Sequence, residues 1–160
     1  MIHTQLGDLS QPSSAKALIS LLDAYAQSPM GGGEPLAEYT RNNLVEALDQ
    51  HQGCSIIFAF NEEQAVGLCI CFDAFSTFAS RPILNIHDVY VDTNYRGQGI
   101  AGQMLKLAEK IARDKGCCKI TLEVLEKNNA AKSAYRNTGF QPYHLDERFG
   151  QAEFWQKSLL

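Results

Sequence analysis

At 160 residues, with 45% hydrophobic and 20% charged side chains, the chain has the size and composition of one globular domain. A formal net charge of −4 argues against a sequence-independent nucleic-acid binder, which presents a basic face, but leaves small anionic ligands open. No apolar run approaches the ~20 residues that span a bilayer, and the opening MIHTQLGDLSQPSS lacks the basic-then-apolar pattern of a secretion signal, so neither a membrane partner nor export is expected.

In chain order, Pro12-Ser13-Ser14 reads as a helix start, followed by Leu18, Leu21, Leu22 and Tyr25 at helical spacing, and the helix should stop before Ser28-Pro29. MGGGEP (30–35) forbids regular structure, and Pro35 can open a second helix carrying Leu44, Val45 and Leu48 on one face, with Gly53 past its end. The start of the chain is therefore expected to be helical, and the remainder rich in strands. CSIIFAF (54–60), Ala65 to Phe72 and ILNIHDVYV (83–91) read as three strands. A turn at Asn61-Glu62-Glu63 separates the first two, and a loop around Ser80-Arg81-Pro82 precedes the third. From Ile100 the period changes to that of a helix, with Met104, Ala108, Ile111 and Ala112 in one stripe closed by Gly116. CKITLEVL (118–125) is a strand, Asn129 to Asn137 a short helix, and Gly139-Phe140 is expected to open a final β region reaching FWQK. Trp155 in that last segment reads as a core or interface anchor. The five cysteines (54, 69, 71, 117 and 118) form an odd set without C-x-x-C spacing, mostly in apolar segments. They read as reduced packing residues of a cytoplasmic protein, and no metal is expected.

Chemistry concentrates after the third strand. Gly97-Gln98-Gly99-Ile100-Ala101-Gly102 is literally G-x-G-x-x-G, between a strand and a helix, where free backbone N–H groups and the helix dipole favour an anion. A dinucleotide fold needs its first glycine almost directly after the strand, yet Asp92-Thr93-Asn94-Tyr95-Arg96 intervenes, and too few residues follow for the remaining strands. The same residues also read as R-x-x-G-x-A (Arg96, Gly99, Ala101), and N-x-x-A-x-x-x-Y-x-x-x-G-F follows as Asn128, Ala131, Tyr135, Gly139 and Phe140.

In that order and spacing, over roughly residues 55–141, the sequence resembles the GNAT superfamily of N-acetyltransferases. The resemblance implies an α/β fold: a central mixed, mostly antiparallel twisted sheet flanked by helices, splayed into a V after the strand 83–92, in one domain over residues 1–160. It implies acetyl-CoA as co-substrate, with the pyrophosphate cradled by Arg96, Gly97, Gln98, Gly99, Ile100 and Ala101, and the pantetheine arm beside the backbone of Val89 and Val91. Asn128 would orient the arm or its helix. Tyr135 would be the general acid for the departing thiolate, and His87, nine residues before Arg96, the base. Asp88 points away from His87 if the strand is regular, a parity that a bulge would scramble. The loop between the first two helices often borders the acceptor site in this superfamily. Tyr25, Met30, Gly31, Gly32 and Gly33, with Asp73, Phe75 and Phe78, are therefore candidates for substrate contacts, and Asp73, Asp88 or Glu34 could attract a cationic amine.

The expected activity is acetyl transfer from acetyl-CoA to a primary amine of a small molecule or protein, by direct attack in a ternary complex. A homodimer is implied at the level of the superfamily. Two rivals stay open: a non-catalytic acyl-CoA-binding sensor, and nucleotide binding through G-x-G-x-x-G.

Overall fold

The computed structural model describes residues 1–143, 145, 146, 148, 150 and 152–159. One five-stranded sheet, in spatial order β1-β2-β3-β4-β5, forms its centre: β1 Ile2–Leu6, β2 Cys54–Asn61, β3 Gln64–Ser76, β4 Arg81–Val91 and β5 Lys119–Leu122. The first three neighbouring pairs are antiparallel. The last, β4 with β5, is parallel and joined by a helix, as a parallel pair requires. Helices α1 (Pro12–Gln27) and α2 (Glu38–Gln50) lie on one side, and α3 (Ile100–Asp114) on the other, with α4 (Asn129–Asn137) beside α3.

Two apolar clusters sandwich the sheet. On the α3 side, Met104, Leu105, Ala108, Ile111 and Ala112 recur at helical spacing and pack on Ile57, Ala59, Cys69, Cys71, Leu84 and Ile86. Burying a side chain the size of Met104 stabilises the fold by roughly 1.5–3 kcal/mol. On the other side, Ala17, Leu18 and Leu21 of α1 cover Ile56, Phe58, Leu68, Ile70 and Tyr90, while α2 buries no residue fully.

Several expectations need correction. The chain opens with an edge strand, not a helix: Ile2–Leu6 pairs with β2, and His3 stacks on Phe60 at 5.6 Å. IHTQL carries little strand signal alone, and the ladder supplied by β2 decides its conformation. The second helix starts at Glu38 instead of Pro35, and β3 runs on to Ser76, which puts Asp73 and Phe75 in a strand. Residues 144, 147, 149 and 151 of the expected last β region lie outside the described residues, and none of the described residues after Gly139 is in a strand. Trp155 is 83% exposed, with its indole N–H donated to Glu153 at 2.9 Å, and so anchors no core.

Candidate active site

Two irregularities of β4 build the site. The first is where its partner stops. β5 pairs with β4 only from Ile83 to Ile86, so the sheet opens beyond that point, and Val89 to Val91 have β3 on one side and no strand on the other. This is the expected V-shaped splay. The second is a bulge. Ile70 pairs with Asp88 and Cys71 with Ile86, which leaves His87 as an extra residue on β4.

The bulge reverses the alternation of faces. Before it Leu84 and Ile86 belong to the α3-side cluster, and after it Val89 and Val91 do, while Tyr90 packs on the α1 side. A regular strand would send Asp88 into the α3-side core with Leu84 and Ile86. Instead Asp88 turns towards α1. His87 lies on that side too, its ring edge-on to Phe72 at 5.5 Å, so the two are not on opposite faces. The sequence holds a trace of this, since apolar positions shift from even numbers (84, 86) to odd (89, 91) across His87.

Asp88 closes one end of a cleft of about 330 Å³ walled by Leu22, Tyr25, Ala26, Met30, Gly31 and Leu36. The α1–α2 loop is held against it by Asp23, whose carboxylate accepts from the Leu36 N–H at 2.8 Å and from the Gln27 side chain at 2.7 Å, with Arg41 3.9 Å away. Gly31 passes so close to the end of α1 that a Cβ there would collide with the Tyr25 carbonyl oxygen, so no other residue fits. Tyr25 stacks on Tyr90 with ring centroids 5.7 Å apart. Burial pushes the Asp88 carboxyl above its ordinary value, and His87 pulls it part of the way back. Burial, and then the charge of Asp88, raise the Tyr25 phenol.

Tyr135 of α4 packs on the α3-side cluster, its ring 5.9 Å from that of Phe140. Burial pushes its phenol up to about 12, with further contributions from Cys69 and Tyr25. Cys69, on the α3 side of the sheet, and Tyr25, on the α1 side, both act on it, which puts Tyr135 near the part of β4 that β5 leaves unpaired. Asn128 caps α4, its side-chain oxygen accepting from the Ala131 N–H at 3.2 Å.

After β4 and a single 3-10 turn, Thr93–Tyr95, the glycine loop leads into α3. Gly97 and Gly99 have φ of +75° and +76°, and a Cβ on either would meet no heavy atom within 4 Å. Gly99 is the N-cap of α3 and offers no side chain, so no side-chain cap takes the first N–H groups of the helix. Gln98 is exposed, and Ile100 and Ala101 begin the helix, Ile100 buried beneath it. The Arg96 Nε donates to the Val91 carbonyl at 3.0 Å, and its guanidinium lies 5.8 Å from the Tyr90 ring centre, which ties the loop back to the splayed strand. Gly102 sits in ordinary contact, 3.8 Å from Thr138 by its would-be Cβ, so nothing demands glycine at the third position of G-x-G-x-x-G. With a single parallel strand pair, the sheet also lacks the parallel architecture of a dinucleotide fold.

The structure thus brings Tyr25, Met30, Gly31, His87, Asp88, Val89, Val91 and Tyr135 around the opened end of β4. It does not bring all the candidates there. Asp73 faces α3, paired with Lys115 at 2.7 Å, about 10 Å along β3 from the residue opposite Asp88. Phe75 pairs with Pro82, about 20 Å along β4 from Asp88, and Phe78 stands fully exposed at the hairpin end. Gly32 and Gly33, at φ +116° and +83°, and Glu34 form the exposed outer part of the loop. Cys69 and Cys71 are buried thiols 3.7 Å apart, and their hydrogen bond and burial push the Cys69 thiol well up, as suits packing rather than nucleophilic chemistry. Among the described residues no group of His, Cys, Asp and Glu could hold a metal ion, and no helix is long and apolar enough to cross a membrane.

Residues 18–140 match the model of the acetyltransferase (GNAT) family, and the chain belongs to that family. Over 76 residues it is 38% identical to thialysine N-epsilon-acetyltransferase of Bos taurus, covering 48% of this chain and 44% of that protein. The chain therefore spans less than half the length of that curated relative. The protein of the same name from Caenorhabditis elegans is 27% identical over 130 residues, 78% of this chain and 75% of its own. Among solved structures, an aminoglycoside acetyltransferase from an uncultured soil metagenomic sample superposes with a TM-score of 0.78 at 17% identity, covering 98% of this chain and 96% of that one. A ribosomal-protein-alanine N-acetyltransferase from Brucella melitensis biovar Abortus 2308 does so at 0.67 and 19%, covering 100% and 98%. At such identities the likeness is one of fold.

Proposed function

We propose that this chain transfers an acetyl group from acetyl-CoA to a primary amine, with both substrates bound together. The observation that carries the reading is the opened end of β4, where a glycine loop on a helix N-terminus, an unpaired strand edge and a half-buried tyrosine meet.

The residues fit the cofactor. Gly97 and Gly99 leave the space that phosphate oxygens need against backbone N–H groups, and the dipole of α3 favours their charge. Val89 and Val91 offer backbone on the side that β5 leaves, which suits an amide-rich arm laid down like a strand. The cofactor, when bound, supplies a thioester. Asn128 caps α4, the helix that carries Tyr135. Burial keeps the Tyr135 hydroxyl protonated well past neutral pH, so it stands ready to donate to a leaving thiolate. The acceptor's place in this reading is the cleft at the α1–α2 loop, on the α1 side of the sheet.

The relatives' names, thialysine N-epsilon-acetyltransferase and streptothricin acetyltransferase, support an amine acceptor. A thiol-release assay with acetyl-CoA and a panel of amines tests the reading on wild type and Tyr135→Phe. Amine-dependent release in wild type, falling about 10²-fold or more in the variant with acetyl-CoA binding retained, is the expected result. Binding of acetyl-CoA without release for any amine would favour the non-catalytic sensor.

A further inference from the structure

Asp88 is a half-buried carboxylate that lacks any hydrogen-bond or ion-pair partner among the described residues. The other carboxylate near the cleft, Asp23, is engaged by a backbone N–H, an amide side chain and an arginine. Holding an ionised, unpaired carboxylate partly out of water is unfavourable, and a regular strand would not have placed it there. Only the bulge at His87 does so. The rest of the wall (Leu22, Tyr25, Ala26, Met30, Gly31 and Leu36) offers aliphatic and aromatic surface, with the Tyr25 hydroxyl its one polar side-chain group. His87, by contrast, is exposed and leans on Phe72, which His51 also touches.

We infer that Asp88, rather than His87, is the catalytic group that receives the acceptor's ammonium and takes its proton, and that the cleft selects a monocationic amine on an apolar stem. This rests on the acetyl-transfer reading. Asp88 accepts one N–H proton, and the freed lone pair forms the C–N bond as the thioester C–S bond breaks. Tyr135 gives its hydroxyl proton to the departing sulfur and regains one from the new amide nitrogen. Asp88 then releases its proton to solvent, so the net products are the amide, CoA thiol and one proton. Apolar walls suit a stem without further charge, because a second cation or a carboxylate in the cleft would find no partner there.

The titratable groups that interact electrostatically with Asp88 are Tyr25 from α1, His87 from β4 itself and, across the sheet, the buried Cys69 of β3. His87 precedes Asp88 directly on β4 and its charge acts on the carboxyl, so the variants must separate the two. The test compares wild type, Asp88→Asn, Asp88→Glu and His87→Gln. It reads kcat and KM with phenethylamine, hexylamine, spermidine and lysine over pH 5–9. Calorimetry on the same proteins measures acetyl-CoA binding and, without acetyl-CoA, phenethylamine binding.

For Asp88→Asn we expect kcat/KM for phenethylamine to fall at least 100-fold, the amine's affinity to weaken at least tenfold, and acetyl-CoA affinity to change less than twofold. Asp88→Glu should recover part of the activity. His87→Gln should lose less than fivefold and keep the acid limb of the pH profile. The two apolar amines should exceed spermidine and lysine at least tenfold in kcat/KM. If Asp88→Asn matches wild type, or if His87→Gln abolishes the acid limb, the assignment of Asp88 is overturned. A preference for spermidine or lysine overturns the acceptor class. Wild type that binds no acetyl-CoA overturns the underlying acetyl-transfer reading, and this proposal with it, which separates that failure from the other two.

Discussion

The two sides of the sheet are built to different standards. On the α3 side, six helix residues are buried in a single stripe, and the sheet answers with Ile57, Ala59, Cys69, Cys71, Leu84 and Ile86. On the other side, α1 buries only four residues and α2 none, and under the loop that joins them an open cleft reaches down to a carboxylate. One side is close-packed and holds the glycine loop at the head of its helix. The other is loosely covered and adjustable. A domain that keeps its glycine loop on the tightly packed side can vary the opposite loop without endangering the fold.

The comparison breaks most readily at Met104. It is fully buried and lies against Gly67, and Met104→Ala should destabilise the protein by about 2–5 kcal/mol in urea unfolding. Met30→Ala, at the rim of the cleft and 42% exposed, should stay within about 0.5 kcal/mol. Equal losses would mean that the two sides are packed alike.

A smaller effect sharpens the account of the loop. Gly99→Ala forces a Cβ into a left-handed residue and should cost about 1–2 kcal/mol, with weaker acetyl-CoA binding. Gly102→Ala, three residues on, is helical and uncrowded, and should instead stabilise by about 0.5–1 kcal/mol. Thermal unfolding and acetyl-CoA titration of the pair check this, and destabilisation by Gly102→Ala would restore weight to the dinucleotide pattern.

The smallest effect concerns Asp88 and pH. Its carboxyl is raised by burial in the folded state, so the fold favours the protonated form. That contribution is fully present below the unfolded carboxylate value near ~4 and is lost as pH rises through the higher folded value. Asp88→Asn should therefore gain in Tm relative to wild type on going from acid to neutral pH, then level off. A constant difference across that range would mean that the carboxylate is well solvated after all.

How far the sequence foretold this can be judged from three places. The bounds of α4, Asn129–Asn137, were legible residue by residue, because a capping asparagine and a glycine after the last turn are local signals. The edge strand at Ile2–Leu6 was not, because its conformation comes from β2, more than fifty residues away. Asp73 looked like an acceptor group by charge alone, and only the packing shows it turned to Lys115 on the other face.

By itself, the sequence determined the α/β class, the run of elements from the first helix to α4, and a motif order that points to the family, since each depends on short-range periodicity, capping and glycine geometry. Tertiary structure decided which residues share the site. A one-residue bulge in β4 and the early end of β5 are properties of pairing between strands distant in sequence, and they turn Asp88 to the cleft and open the sheet beside Tyr135.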